Sequence, residues 1–66
     1  MSVAKVVEIS ATSSESYEDA VRQGIAKASE TVRNIRSAWV KEQGASVENG
    51  AVVEFQVNLQ VTFVLE

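Results

Sequence analysis

A chain of 66 residues with 45% hydrophobic content and no Cys, His or Pro makes one small domain and is too apolar for a disordered tail. Six basic and nine acidic residues leave a net charge of −3, the wrong sign for a surface that neutralises phosphates, so no nucleic-acid partner is expected. Without thiols or imidazoles there is no disulfide, no Cys/His zinc site and no imidazole triad, which removes most enzyme chemistry.

The first predicted element is a strand over 3–11, rich in β-branched residues, with Val3, Lys5, Val7, Ile9 and Ala11 on one face. Thr12-Ser13-Ser14-Glu15 then has the spacing of a capping box, in which hydroxyl and carboxylate each satisfy a free backbone N–H. Behind it Tyr17, Ala20, Val21, Gly24, Ile25, Ala28, Val32 and Ile35 recur with helical period, which predicts a helix over about 14–34. Gly24 lowers helix propensity by roughly 1 kcal/mol relative to Ala, and its place on the apolar face points to close packing against a sheet.

The last third predicts a hairpin of strands 36–48 and 51–65 around Asn49-Gly50, the pair that best accepts the positive φ angles of a type I′ turn. Val53, Phe55, Val57, Leu59, Val61, Phe63 and Leu65 alternate with polar residues, the clearest strand signal in the chain. A right-handed crossover puts the last strand between the other two, antiparallel to both. The expected fold is therefore α+β: one domain over 1–66, in β-α-β-β order, with a three-stranded antiparallel sheet packed around one helix.

A two-residue turn pairs Trp39 with Gln60, Lys41 with Asn58 and Gln43 with Gln56. Alternation then puts Ser37, Trp39, Lys41, Gln43, Gln56, Asn58, Gln60 and Thr62 on the face away from the helix, provided no bulge shifts the register. One large aromatic stands in an amide-rich surface. Trp39 is either the anchor of an interface between copies, where Trp is enriched, or a stacking platform for a planar ligand whose edge meets the glutamines. Size favours self-association in any case. A domain of ~60 residues buries only ~60% of its unfolded surface, and such chains usually add disulfides, a metal or oligomerisation.

Val-Glu-Ile-Ser-Ala-Thr-Ser at 7–13, Glu42-Gln43-Gly44, Phe55-Gln56-Val57 and the closing Val61-Thr62-Phe63-Val64-Leu65-Glu66, in this order and spacing, resemble the dodecin family over essentially the whole chain. The resemblance implies a hollow homododecamer that holds pairs of stacked flavins between aromatic residues at subunit interfaces, storing or quenching the cofactor rather than turning it over. Some bacterial members also bind coenzyme A. The family's glutamine on the polar edge of the isoalloxazine falls on Gln56. Its acidic residue, which holds the ribityl region through a metal and water, falls on Glu42. The stacking tryptophan opens a W-x-E-V sequence that falls on Ser37-Ala38-Trp39-Val40, so Ser37 occupies the stacking position and the indole stands two residues later. Two phosphate-contacting arginines of bacterial members fall on Gly44 and Val64. Their loss disfavours FMN and coenzyme A and leaves riboflavin less affected.

Other chemistry is sparse. Glu15, Glu18 and Asp19 at the helix start suit the helix dipole. Repeated by symmetry, such carboxylates would also suit Ca²⁺ or Mg²⁺. Ser13 and Ser14 read as caps, with no base to activate a nucleophile, and Tyr17 and Phe63 as core. The expectation is a non-catalytic flavin-binding or storage protein, for riboflavin or FMN, with Trp39, Gln56, Ser37 and Glu42 at the cofactor site. The competing reading is a structural or cation-binding assembly on the same fold that has lost flavin, with Glu15 and Glu42 as metal ligands. The N-terminal stretch lacks the basic and long apolar regions of a signal peptide. No run of ~18 apolar residues provides a membrane span. A cytoplasmic location without a membrane partner is expected.

Overall fold

The last strand organises the molecule. In the computed structural model, which describes residues 3–65, β3 (Ala51–Leu65) lies between β1 (Val3–Ser13) and β2 (Ile35–Glu48), antiparallel to both. Helix α1 (Tyr17–Ala28) connects the two flanking strands, which gives the expected β-α-β-β order and α+β class. Met1, Ser2 and Glu66, the ends of the domain expected over 1–66 and the last residue of the closing segment, lie outside the described residues.

The apolar alternation of β3 supplies the core. Val57, Leu59 and Val61 are fully buried under the helix, together with Ala20. Burial of each large side chain is worth roughly 1.5–3 kcal/mol. Val7, Ile9 and Ala11 of β1 and Tyr17, Val21 and Ile25 of α1 pack against this cluster. Tyr17 also meets Phe55 edge to face, with ring centroids 4.9 Å apart. Gly24 lets the helix settle onto the sheet, because a Cβ there would stand 3.0 Å from the Ala11 Cβ and 3.4 Å from Leu59 Cδ1.

The helix is shorter than its apolar period predicts. It starts at Tyr17, not 14, because Ser16 is its N-cap: its backbone is extended (φ −169°, ψ 165°) and its Oγ accepts the Asp19 N–H at 2.9 Å. The Thr12–Glu15 capping box is not formed. Thr12 is still in β1, opposite Gln56, and Ser13 directs the connection instead. The buried Ser13 Oγ accepts the N–H groups of Glu15 (2.9 Å) and Ser16 (3.4 Å) and donates to Asp19 Oδ2 at 2.6 Å. The helix stops at Ala28, six residues before 34. There Ser29 Oγ donates to the Ala26 carbonyl at 2.8 Å, and Glu30 and Thr31 close three-residue turns on Lys27 and Ala28. Hydroxyls near the backbone compete in this way with helical hydrogen bonds. Asn34, in the left-handed region at φ 62°, then turns the chain into β2.

At the other end Asn49 (φ 52°) and Gly50 (φ 78°) form the expected tight turn. Fifteen residues of β3 span ~50 Å at strand rise, whereas the twelve of α1 span ~18 Å. The helix packs on β1 and β3. The hairpin beyond them is a bare arm, and the molecule measures 51 × 19 × 14 Å.

Candidate functional site

The face of the sheet away from α1 is organised in cross-strand rows. From β1 through β3 to β2 they read Val6–Thr62–Ser37, Glu8–Gln60–Trp39, Ser10–Asn58–Glu42 and Thr12–Gln56–Gly44. Successive rows are ~7 Å apart. Trp39 is opposite Gln60 as expected, but the other two expected pairs are not formed. Between Ser46 and Val47 the register slips by one, and between Val40 and Glu42 it slips back, so Glu42 faces Asn58 and Gly44 faces Gln56. A bulge opposes two residues to one and leaves the extra one out of the ladder.

Two consequences follow for the site. Gln43 is opposite Val57 and so belongs to the helix-side register, not the polar face. Glu42 takes its place: its Oε1 accepts a hydrogen bond from Asn58 Nδ2 at 3.0 Å. Lys41, the residue at the slip, reaches over the sheet to place Nζ 3.3 Å from Glu8 Oε1, one row-end away from Trp39. Both members of that pair are about half exposed, with side-chain accessibilities of 49% and 48%, so it fixes side-chain positions while adding at most ~1 kcal/mol.

Trp39, on the flanking strand β2, is 60% exposed on this surface. Its neighbours along the row are an amide and a carboxylate. In the next two rows toward the turn, a depression of about 230 Å³ is lined by Glu42, Gln43, Gly44, Gln56 and Asn58. The space beside Gly44 is open: a Cβ there would meet nothing within 4 Å. Gln56 Nε2 donates to Ser10 Oγ at 3.4 Å, a long bond that leaves its carbonyl oxygen free of that contact. A larger depression of about 540 Å³ lies between α1 and β1, lined by Ile9, Ala11, Gly24 and Ala28 among others, and holds none of the four cofactor residues expected from sequence.

The structure thus brings Ser37, Trp39, Glu42 and Gln56 onto one face, spread over four rows. Glu15 is not among them: it stands in the β1–α1 connection. Among the described residues no group of three or more Asp and Glu side chains is disposed to hold a metal ion. Sequence reasoning missed Asn58 as the partner of Glu42, and it missed Glu8 and Ser10 as members of the face. The alternation of β1 was there to be read for the last two. For Asn58 no composition signal marks the bulge that creates the pairing.

The comparisons with known proteins agree with this fold. The Dodecin family model matches residues 3–66, and the chain belongs to the dodecin family. It is similar to dodecin of Thermus thermophilus, 39% identical over 64 residues, with 97% of this chain and 93% of that protein covered. The crystal structure of an Arg-to-Ala variant of that protein superposes with a TM-score of 0.94 at 38% identity, over 100% of this chain and 98% of the other. It is also similar to calcium dodecin of Mycobacterium tuberculosis, 36% identical over 63 residues, covering 96% and 89%. The crystal structure of that protein, described as calcium-chelating with a novel calcium-binding site, gives a TM-score of 0.83 at 34% identity, over 97% and 91% of the two chains.

Proposed function

We propose that copies of this chain assemble and hold a flavin against the Trp39 face, riboflavin at least as well as FMN, without turning it over. The observation that carries the proposal is the exposed indole on the polar face, opposite the Gln60 amide and in one row with the Glu8 carboxylate. Trp offers a planar apolar platform worth ~1–3 kcal/mol per stacked base-like ring. A glutamine offers both a donor and an acceptor, which suits the alternating polar edge of an isoalloxazine. Trp39 and Gln56 are two rows apart, ~14 Å along the strands. A ring centred on one indole is out of range of the same protomer's Gln56, so the Gln56 that meets its edge belongs to a neighbouring copy. Assembly is therefore part of the proposal, as a homododecamer on the family pattern.

The departures from that pattern set the preference. Gly44 and Val64 offer no cation for a terminal phosphate, and Lys41 is engaged by Glu8. Riboflavin loses nothing by this. On the same face no nucleophile is set against a base, which supports binding over turnover. Titration of riboflavin and of FMN into the protein, followed by flavin fluorescence, tests the proposal, because a ring stacked on indole is quenched.

A second reading has its own support: a cation-binding assembly without flavin. Ser37 puts a hydroxyl where the family has its stacking ring, and Glu42 presents a hard carboxylate oxygen on the same face, held by the Asn58 Nδ2 donor at 3.0 Å. Glu15 in the β1–α1 connection is its other carboxylate. Calcium titration by isothermal calorimetry distinguishes the two: heat on adding Ca²⁺ with no flavin quenching supports this second reading.

A further inference from the structure

The polar face that carries Trp39 is short of positive charge. Its four rows hold the carboxylates of Glu8 and Glu42 and no basic residue. Lys41, at the register slip in β2, is the cation that reaches over them, and its Nζ lies 3.3 Å from Glu8 Oε1. Lys41 starts on one flanking strand and Glu8 stands on the other. The lysine stem therefore crosses β3, a distance of two strand spacings or about 10 Å. Glu8 shares its row with Gln60 and Trp39, so the ammonium is held at the far end of the row that begins with the indole. Glu42 is satisfied differently, by Asn58 Nδ2 at 3.0 Å, and joins no salt bridge among the described residues.

The Lys41–Glu8 pair is loosely held. Both side chains are about half exposed, and an ion pair in contact with water adds little to stability. A stronger anion could compete for the lysine, and a phosphate monoester, with about −1.5 to −2 charges at pH 7, is one. The carboxylate does not leave when the lysine turns to another partner. It stays beside the ammonium and sets a like charge against any phosphate placed there. Glu8 thus neutralises the cation of this face and repels the anion that would use it. A terminal hydroxyl meets no such conflict, because it donates to a carboxylate and accepts from an ammonium at once.

We propose that Glu8 is the residue that sets the ligand preference of the Trp39 face: by occupying Lys41 it selects a ligand ending in a hydroxyl over one ending in a phosphate. The proposal rests on the flavin reading above and assigns its preference to one carboxylate. With Glu8 made neutral, Lys41 becomes the phosphate-binding cation that Gly44 and Val64 do not supply.

The test is a set of titrations of the full chain with riboflavin and with FMN, read by flavin fluorescence at low salt, with circular dichroism to check folding. The quantity compared is the ratio of the two dissociation constants. Both ligands carry the same ring, so a change in stacking alone cancels in that ratio. Glu8→Gln, which keeps the shape of the side chain, is expected to shift the ratio about tenfold toward FMN, and added salt reduces that shift. Lys41→Gln leaves Glu8 unpaired and is expected to shift the ratio at least about threefold toward riboflavin. The single variants move in opposite directions, so either one that folds carries the test. Glu8→Gln combined with Lys41→Gln loses the gain of FMN and returns to within about threefold of wild type. A ratio unchanged in both single variants, or a gain of FMN that survives in the double variant, overturns the role of Glu8 while flavin binding stands. Riboflavin and FMN left fluorescent by wild type and by Glu8→Gln overturn the flavin reading and this proposal with it.

Discussion

Trp39 stacks on the ligand or packs in an interface, and a single truncation separates the roles. Trp39→Ala is expected to weaken flavin binding by roughly 5- to 150-fold, the equivalent of ~1–3 kcal/mol for a stacked ring. Flavin fluorescence titration measures it directly, and unchanged quenching would make the indole an anchor only. Gln56→Ala is expected to cost about tenfold, as the loss of an edge hydrogen bond. Gly24 is legible in another way. A glycine on the apolar face of a helix implies close approach, and the structure supplies the contact: the Ala11 Cβ lies 3.0 Å from where a Cβ would stand. That neighbour is fixed to the backbone of β1 and has no rotamer with which to yield. Gly24→Ala gains ~1 kcal/mol of helix propensity against ~1–3 kcal/mol of overpacking. Net destabilisation of about 1 kcal/mol is expected in urea unfolding, and a stabilised variant would show that the helix can shift.

At the scale of elements, the strands could be read from composition, and the places where reading failed are those that composition does not mark. The valine-rich alternation of β3 gave its period, because a strand buried on one face repeats in this way, and the right-handed crossover gave its central position. The helix was over-read at both ends. Its apolar period continues through Val32 and Ile35, but Ser29, Thr31 and the left-handed Asn34 end it locally, and periodicity carries no information about hydroxyls that bind carbonyls. The N-terminal cap stands four residues later than expected: Ser16, not Thr12, accepts the Asp19 N–H, and Tyr17, the first helical residue, packs on Phe55. Stability should follow the observed caps. Ser16→Ala is expected to cost about 1 kcal/mol, and Ser13→Ala ~1–3 kcal/mol, since it removes a buried hydroxyl with three partners. Thr12→Val, in the capping box that does not form, should stay within about 0.5 kcal/mol. Thermal melts of the three variants decide the order. The bulge at Lys41 was the most consequential omission. It exchanges Gln43 for Glu42 on the polar face, and the rest of the candidate site, from Ser37 to Gln56, needed only strict alternation to be found.

For the whole molecule, size, shape and surface lead to the same conclusion. A chain whose helix covers only part of its sheet, and which among the described residues leaves six valines and its one tryptophan exposed, has little core of its own. The family to which it belongs and the outward Trp39 face give that surface a use. Assembly should therefore raise stability, so the melting temperature is expected to increase with protein concentration. A melting temperature independent of concentration across a hundredfold range would count against it. The most direct measurement of the central claim is titration of riboflavin with the assembled wild-type protein, followed by flavin fluorescence. Saturable quenching with a midpoint at or below tens of micromolar, lost in Trp39→Ala, is the predicted result. Assembled protein that leaves riboflavin and FMN fully fluorescent at those concentrations would contradict it.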